Sequence, residues 1–532
     1  MALWFATEQF TADERAALSR YFTNVEGPVF ALTNLPEVVK GALFARYSRT
    51  RKSLRRLFLD EFWDGSDESL MAQVGVQRAE KLYDNVFVEY GDDSVAQLGG
   101  VHLACEQASQ LLCKALERGR LAAYLEQSTR YMRYDDLPGG QWRATVPPEI
   151  VGTELEPRFR EYIDLVFETY RALFDPMYAW FSERFPKEAA DSDPVYRSTI
   201  TAKTCDTLRM LLPACTRSNL GVYATGQSYE HLLMRLAGHP LQEMREYGEL
   251  MLTELRKVIP AFLKRVDVPE RGLAWSEYMR ETRERVEDVA RKALTGRAPE
   301  QRPDVSLVDF DPEGELKVVA AAMYEAAGLP DDQLMAVARE MTPEQRAEIL
   351  TASVGDRRNR RHRPSRAWER TQYRFDVLCD YGAFRDLQRH RPLTIEWQRL
   401  TTQHGYEVPE QIVDAGMSGE WERVMAAGRA MEISLREEGF DEVAQYAVPM
   451  AYRIRFVMQM TAREAMHLTE LRSQAQGHPA YRRVAQAMHS LIGGVHPAIA
   501  AAFTHISYDE VDLERLEAER RTDTRRRSSA PR

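Results

Sequence analysis

Arg389-His390-Arg391 is followed, after seven further residues, by Arg399. In the other half of the chain, Arg118-Gly119-Arg120 is followed at the same spacing by Ser128. Each segment looks like one half of a single pattern, Arg-His-Arg, seven residues, Ser. The earlier segment keeps the serine and lacks the histidine, whereas the later one keeps the histidine and lacks the serine. This complementary loss indicates a diverged internal duplication.

A second pair of landmarks supports the duplication. The first half contains Arg209-Met210-Leu211-Leu212-Pro213 and later His239-Pro240, and the second contains Gln445-Tyr446-Ala447-Val448-Pro449 and later His478-Pro479. The spacing varies, because the segment from the triad to the proline is longer in the first copy. Several landmarks that recur in one order make chance a poor explanation.

Hydrophobic periodicity predicts a helix-rich α+β domain that occurs twice in tandem. Three-to-four-residue spacing of apolar side chains predicts helices over 154–185, 241–263 and 275–294. Residues 305–310 and 373–381 are predicted strands, and 101–116 is ambiguous between strand and helix. The Gly- and Pro-containing segment 295–303 predicts a linker. We therefore predict four regions: a first copy (1–270), a helix and linker (271–304), a second copy (305–512) and a basic, disordered tail (513–532).

Composition and charge restrict the class of protein. The 532 residues carry a net charge of -10, which argues against a general nucleic-acid coat. No apolar run approaches the ~20 residues of a membrane span, and the N-terminal segment has no basic leader. The five cysteines form no CxxC pair, so we expect reduced packing residues in a cytoplasmic protein. No residue spacing predicts a metal site.

Positive charge is concentrated in two segments. The basic tail is best interpreted as a solvated terminus. The internal segment precedes the triad, and its crowded guanidinium groups repel one another unless an anion joins them. This internal segment comprises Arg357, Arg358, Arg360, Arg361, Arg363, Arg366 and Arg370.

The residue types of both triad-related segments suit phosphate or ring recognition. Arginine presents two parallel donors, and His390 adds a planar group that can stack or donate. Ser128, Thr129 and Arg130 can cradle a phosphate and leave Glu126 free to accept from a sugar or amine. The alternatives are a surface turn for the triad and a capping or turn segment for residues 126–130.

The Arg-His-Arg pattern resembles that of the flavin-dependent thymidylate synthases, which methylate dUMP using FAD, a folate and NADPH. In that family the nucleotide site spans two subunits of a tetramer. One chain supplies the triad Arg and a later helix Arg, which favours ionisation at N3 of the pyrimidine. The other supplies a Glu-x-Ser-x-Arg segment and the Arg before Leu-Pro. The resemblance implies FAD as cofactor, with NADPH and methylenetetrahydrofolate as co-reactants.

Carried over to this chain, both contributions to a nucleotide site are present, one in each half. The second half supplies Arg389 and Arg472, and Arg472 is the catalytic residue by resemblance. The first half supplies Glu126, Gln127, Ser128, Thr129, Arg130 and Arg209. The reciprocal set is lost, because Trp397, Arg399, Thr401 and Gln445 stand at the matching positions. The resemblance thus implies one composite site per chain, between its two copies.

The resemblance also assigns residues to the flavin. These are Arg389, His390, Arg391, Glu369, Arg463 and His467. The chain departs from the family pattern at Thr461 and His467, where Asn is usual, and at Asp386, where Gln is usual.

Three hypotheses follow. The first is a flavin-dependent methyltransferase acting on dUMP or a related pyrimidine nucleotide. The second is a non-catalytic relative with a regulatory or structural role, which the departures at Asp386, Thr461 and His467 favour. The third is a nucleic-acid-binding protein, which steep salt dependence would reveal and the acidic net charge disfavours. Two copies in one chain would also reduce the family tetramer to a homodimer.

Overall fold

The computed structural model describes residues 8–27, 30–47, 52–63, 97–189, 191–514 and 516–529. Its strands are β1 Gly100–Ser109, β2 Ala122–Glu126, β3 Arg217–Thr225, β4 Val305–Phe310, β5 Gln372–Asp380, β6 Thr394–Trp397 and β7 Arg453–Thr461. Its first helices are α1 Ala12–Tyr21, α2 Glu37–Tyr47, α3 Leu54–Glu61, α4 Gln110–Leu116, α5 Leu155–Arg184, α6 Asp193–Leu208, α7 Gly226–Ala237, α8 Gln242–Arg256 and α9 Ala274–Ala293. The later helices are α10 Gly314–Ala327, α11 Asp331–Glu340, α12 Pro343–Val354, α13 Tyr381–Leu387, α14 Glu410–Asp414, α15 Ser418–Glu437, α16 Ala462–Arg472, α17 Pro479–Val495, α18 Pro497–Ala501 and α19 Leu516–Ser529.

The sheets repeat the same topology in the two copies, which confirms the predicted tandem α+β fold. The first sheet has the order β1-β3-β2, and the second has the order β4-β5-β7-β6. In each copy a strand runs into a short helix (β1–α4, β5–α13), and the central strand runs into another helix (β3–α7, β7–α16). β4 adds an edge strand to the second sheet and pairs antiparallel with β5.

The strands and the helix starts follow from local sequence. Along β7, Ile454, Phe456, Met458 and Met460 are buried and alternate with more exposed residues, as expected of a sheet with one face on the core. At the start of α13 the Asp380 carboxylate accepts a hydrogen bond from the Ala383 amide at 2.7 Å. Ser109 caps α4 in the equivalent way. The Asp380 cap sets where the helix before Arg389 begins, and the Ser109 cap does the same for the helix before Arg118.

The described chain forms two compact units that do not coincide with the two sequence copies. The first comprises Met1–Glu106, Leu121–Glu126 and Asn219–Gly296. The second comprises Gln107–Arg120, Gln127–Ser218 and Arg297–Arg532. The first sequence copy therefore contributes to both units. The boundaries proposed from sequence, 1–270 and 305–512, stay predictions.

Within the second unit, backbone segments from the two copies are hydrogen bonded to each other. The Ala214 amide donates to the Val448 carbonyl and the Met450 amide donates to the Leu212 carbonyl, both at 2.9 Å. The Tyr162 hydroxyl donates to the Ala447 carbonyl at 2.6 Å. Residues preceding and following the two Pro landmarks are thus joined across the duplication.

Most predicted elements are confirmed. Helices α5 and α9 and strands β4 and β5 lie within about a residue of the predicted ranges. The ambiguous segment 101–116 is β1 followed by α4. The predicted helix 241–263 is α8, which ends at Arg256, followed by a short 3-10 turn beginning at Pro260. Proline lacks the amide hydrogen that would continue the α-helix.

The prediction of a disordered tail is wrong for Leu516–Ser529, which forms α19. Arg520 is paired with Asp191 at 2.6 Å and with Glu188 at 2.7 Å. These two carboxylates neutralise part of the positive charge on which the prediction of a disordered tail was based. The N-terminal Met1–Thr7 and the last three residues of the tail lie outside the described residues.

All five cysteines are buried, and none forms a disulfide bond. Among the described helices, none is both long enough and apolar enough to cross a bilayer.

Candidate functional site

Arg472 is held on three sides in the second unit, at the C-terminal end of α16. Its Nε donates to His390 Nε2 at 3.0 Å, and its Nη1 lies 3.5 Å from Asp386 Oδ1. Its guanidinium carbon lies 5.4 Å from the ring centroid of Tyr481, within cation–π range. The guanidinium orientation is therefore fixed by groups of the second copy.

His390 is the buried centre of the triad and is neutral. Because its Nε2 accepts from Arg472, its proton is on Nδ1, which donates to Glu464 Oε1 at 3.0 Å. Burial, and then the charge of Arg472, lower the pKa of His390 well below its ordinary value. A neutral imidazole here can accept from Arg472, which a protonated ring could not do.

Glu464 and His467 continue this network along α16. Burial raises the pKa of Glu464 to about 7, against the attraction of Arg363 and Arg463. Burial, followed by Arg363, Arg360 and further guanidinium groups, lowers the pKa of His467 to about 4. The imidazole rings of His390 and His467 lie 5.4 Å apart. This region therefore presents neutral imidazoles within a field of positive charge.

The first copy contributes a carboxylate that binds two of the predicted nucleotide-site arginines. Asp206 Oδ2 accepts from Arg130 Nη2 at 2.7 Å, and Asp206 Oδ1 lies 2.9 Å from Arg209 Nε. His478 Nε2 lies 4.0 Å from the same carboxylate. The Arg209 contact is a close ion pair without a well-aligned hydrogen bond. Burial opposes ionisation of Asp206, but Arg130, His478 and Arg209 hold its pKa well below the ordinary value.

Thr129 joins arginines of the two copies. Its hydroxyl oxygen accepts from Arg209 Nη1 and from Arg385 Nη1, each at 3.3 Å. Arg130 Nη1 in turn donates to the Tyr481 hydroxyl at 3.3 Å. A continuous polar network thus runs from Thr129 to Arg472. Arg209 Nη2 is buried, and no group in the described ranges accepts a hydrogen bond from it.

The other predicted nucleotide residues are close in sequence to this network, and the structure places them as follows. Ser128 Oγ accepts from the Arg130 amide at 3.3 Å, which is the local turn bond considered as the alternative for this segment. Gln127 is half-buried, and Glu126 is buried at the end of β2. Arg389 is largely exposed, with Nε 4.0 Å from Glu117, and Arg391 is exposed.

Of the predicted flavin residues outside the triad, Arg463 and Glu369 contact each other and His467 contacts Arg363. Arg463 Nη1 lies 3.4 Å from Glu369 Oε1, and its Nε donates to the Pro364 carbonyl at 2.9 Å. Arg363 Nη2 lies 3.0 Å from His467 Nδ1. Arg363, Arg463 and His467 therefore form a basic cluster beside His390.

The arginine-rich segment is less free to bind an anion than its composition predicts. Arg357 forms an ion pair with Glu470 at 2.5 Å, and both side chains are buried. Arg366 contacts Glu369 at 3.1 Å and Arg370 contacts Asp331 at 3.0 Å. Carboxylates thus offset part of the mutual repulsion that suggested a phosphate partner.

Three side chains here have metal-ligand chemistry. His390, Glu464 and His467 bring one potential ligand atom each within 4.8 Å of one another. However, Arg472 occupies Nε2 of His390, and Arg363 donates to the His467 ring. Positive charge at these positions opposes a divalent cation. Because arginine side chains surround these three residues, the region fits an anionic ligand better than a metal ion.

The residues at the positions of the reciprocal site, predicted to be lost, contact other side chains or the backbone. Arg118 lies over the Trp397 ring, 5.2 Å from its centroid. Arg399 forms an ion pair with Glu442 at 2.5 Å. Gln445 Oε1 accepts from the Leu400 amide at 3.1 Å.

Sequence reasoning missed four members of the network: Asp206, Arg385, Glu464 and Tyr481. The signal for Asp206 was its position three residues before Arg209, which puts the two side chains on one face of a helical turn. Arg385 is four residues before Arg389, at the equivalent spacing. Tyr481 follows the His478-Pro479 landmark by two residues. Glu464, next to Arg463, gave no such signal.

The fold is that of a duplicated α+β protein. The family model described as thymidylate synthase complementing protein matches residues 42–261 and 306–498, one segment in each copy. The chain belongs to this family.

Relatives of similar length are also found. A UPF0159 protein of Chlamydia muridarum is 39% identical over 521 residues, covering 96% of this chain and 98% of the relative. A UPF0159 protein of Thermoplasma acidophilum is 30% identical over 516 residues, covering 91% of this chain and 99% of the relative. A flavin-dependent thymidylate synthase of Clostridium tetani is 24% identical over 181 residues, covering 34% of this chain and 68% of that protein.

Proposed function

We propose that this thymidylate synthase-like protein binds FAD and a dUMP-like nucleotide at one composite site and methylates the pyrimidine. The observation that carries the proposal is the network from Thr129 to Arg472, to which both sequence copies contribute residues. Neutral drift would not be expected to preserve both contributions to one site while the second copy's contribution to the reciprocal site is lost.

The charge of the network supports a nucleotide phosphate as ligand. Among its described members, guanidinium groups (Arg130, Arg209, Arg385 and Arg472) outnumber carboxylates (Asp206 and Asp386). A phosphate monoester carries close to two negative charges at neutral pH. The unpartnered Arg209 Nη2 supplies a donor for such a group.

The basic cluster beside His390 supports the cofactor. Arg363 and Arg463 present donors and positive charge, which suits the pyrophosphate of a dinucleotide, and His467 adds a neutral imidazole beside them. In the proposal, Arg389, His390, Arg391, Glu369, Arg463 and His467 hold FAD. When bound and reduced, the flavin supplies the hydride, with methylenetetrahydrofolate and NADPH as the co-reactants of the family reaction.

The role of the protein is to hold the nucleotide and to stabilise charge. Arg472 is the proposed catalytic residue, because a positive charge fixed beside the pyrimidine stabilises negative charge that develops on the ring. Neutral His390 and the Tyr481 ring orient Arg472 without adding a competing charge. Thr129, Arg130 and Arg209, with Glu126, Gln127, Ser128 and Arg389, would bind the nucleotide.

One observation favours a non-catalytic nucleotide- or flavin-binding relative as the second candidate. Asp386 lies 3.5 Å from Arg472, and its pKa is lowered: burial opposes ionisation, but Arg472 and further guanidinium groups outweigh it. An ionised carboxylate at this distance partly neutralises the charge that the reaction needs. The regulatory or structural role therefore stays as the alternative.

Absorbance spectroscopy tests the proposal first. Purified protein with added FAD should show a bound oxidised flavin whose spectrum changes on titration with dUMP, and Arg389→Ala should lose both signals. Arg143→Ala removes a surface arginine paired with Asp136 and serves as the control. Absence of flavin binding at saturating FAD would eliminate the redox mechanism and leave the non-catalytic relative.

Turnover then separates the two candidates. With dUMP, methylenetetrahydrofolate and NADPH, the wild type should form the methylated nucleotide. Arg472→Ala should lower kcat by a factor of about 100 or more while FAD binding persists, since a transition-state electrostatic contact is typically worth that much. Flavin and dUMP binding without product would support the non-catalytic candidate.

We further propose a homodimer, because two copies per chain replace two subunits of the family tetramer. Light scattering combined with size exclusion should give twice the mass of the chain. A monomer at micromolar concentration would contradict this arrangement.

A further inference from the structure

Helix α9 carries an apolar stripe that is exposed to solvent in the described structure. The exposed fractions are 44% for Trp275, 60% for Tyr278, 61% for Val286 and 66% for Val289. α9 lies between the two family-matched segments, which end at 261 and begin again at 306. The stripe is therefore not explained by the nucleotide or flavin site. Apolar patches of this kind mark interaction surfaces.

A different face of α9 fixes the helix to the first unit. The Ser276 hydroxyl donates to the Met234 carbonyl at 3.0 Å, and Arg283 Nη1 donates to the Gly238 carbonyl at 3.1 Å. A Cβ atom on Gly238 would lie 2.7 Å from the Ser276 carbonyl oxygen, so the glycine permits this close approach. At 3.6 residues per turn, the apolar stripe is rotated by roughly 100° from this contact face.

The spacing of the stripe is the same in both directions. From Trp275 to Val289 the steps are three, four, four and three residues, with Thr282 at the centre. Antiparallel pairing about Thr282 would set Trp275 opposite the partner's Val289 and Tyr278 opposite the partner's Val286. Each large side chain then faces a small one, which suits close packing. A two-fold interface requires this kind of self-complementary surface.

The charges beside the stripe fit the same arrangement. Glu281 and Arg285 lie on its solvent side, and within one chain they are only loosely paired, with 3.9 Å between Arg285 Nη2 and Glu281 Oε2. Antiparallel pairing about Thr282 brings each of these charges near the opposite charge of the second copy.

We propose that α9 of one copy packs antiparallel against α9 of a second copy of this chain, with the two-fold axis at Thr282. The contact is separate from the family fold, and it does not depend on the proposed enzymatic function. The stripe covers 15 residues from Trp275 to Val289, or about 21 Å of helix.

Disulfide trapping tests the position of the axis. In the full-length protein, Thr282→Cys should form a covalent dimer under mild oxidation, because the two introduced thiols meet at the axis. Glu284→Cys, on the opposite face of the same helix, is the matched control and should stay monomeric on a non-reducing gel. The native cysteines are buried. Absence of a Thr282→Cys dimer, or equal trapping of Glu284→Cys, would overturn the proposal.

Sedimentation equilibrium tests the energetics without a covalent bond. The double variant Val286→Glu/Val289→Glu should weaken self-association at least tenfold, because each carboxylate would be buried without a partner. Val151→Glu changes a valine that is also exposed, at 56%, but lies elsewhere, and should associate like wild type. Unchanged association of the double variant would refute the contact. FAD and dUMP binding should be the same in all these variants, so a failure of the proposed function leaves this test interpretable.

Discussion

Asp206→Asn is the substitution expected to disturb the nucleotide site most directly. The side chain is buried, and its carboxylate lies 2.7 Å from Arg130 Nη2 and 2.9 Å from Arg209 Nε. Asparagine retains the shape but removes the negative charge, so two guanidinium groups would be left in the interior without their counter-ion. Breaking a buried ion pair by removing one partner typically costs about 3–5 kcal/mol.

The expected loss can be measured as the free energy of unfolding in urea, followed by circular dichroism. Asp136→Asn is the matched control, since Asp136 pairs with Arg143 at the surface and such pairs contribute about 0–1 kcal/mol. The pKa of Asp206 is held below its ordinary value of 3.8. Its contribution is therefore present above pH 3.8 and is lost as the pH falls through the folded-state pKa.

Nucleotide binding gives a second readout of the same substitution. With the carboxylate absent, Arg130 and Arg209 are no longer held in place, and dUMP affinity should change together with stability. Unfolding free energies of Asp206→Asn and Asp136→Asn that agree within about 1 kcal/mol would refute the reasoning, because Asp206 would then not neutralise the two arginines.

Two further predictions concern buried carboxylates. Burial raises the pKa of Glu464 to about 7 from 4.5, so its protonation stabilises the folded state at low pH, and this contribution is lost as the pH rises from about 4.5 to 7. Wild type should therefore lose about 3 kcal/mol of stability relative to Glu464→Gln over that range, and a constant difference in urea titrations would contradict it. Lys203 pairs with Glu514 at 2.6 Å in the interior, so Glu514→Gln should lower the unfolding free energy by about 3 kcal/mol or more. The double variant Lys203→Met/Glu514→Leu should recover much of this loss in thermal unfolding, whereas equal loss in both variants would show that packing, and not the buried charge, is responsible.

The sequence predicted what depends on local pattern. Alternation in β5, helical spacing in α5 and α9, and the repeated Arg and Pro landmarks were sufficient for the α+β class and the duplication. The resemblance selected Arg130, Arg209 and Arg472, and the structure places these three in one network. Which nucleotide and cofactor they bind stays a prediction.

Interactions between distant segments were not predictable in the same way. Tyr481 joins Arg130 to Arg472 from a position more than 300 residues after Arg130, and no local pattern encodes such a contact. The tail was expected to be disordered because its own composition is basic and polar. Arg520 of its helix pairs with Asp191, which is far away in sequence. That ion pair cannot be inferred from residues 513–532 alone.

The backbone hydrogen bonds between residues 210–214 and 448–451 have a consequence for how the duplication evolved. The segment that precedes β3 in the first copy and the segment that precedes β7 in the second are hydrogen bonded to each other, so we expect that neither copy can be lost or replaced independently. Fusion also fixes the stoichiometry at one to one. Every first copy is therefore joined to a second copy. The histidine missing from the first copy is present in the second, and the serine missing from the second is present in the first, so each molecule carries both residues.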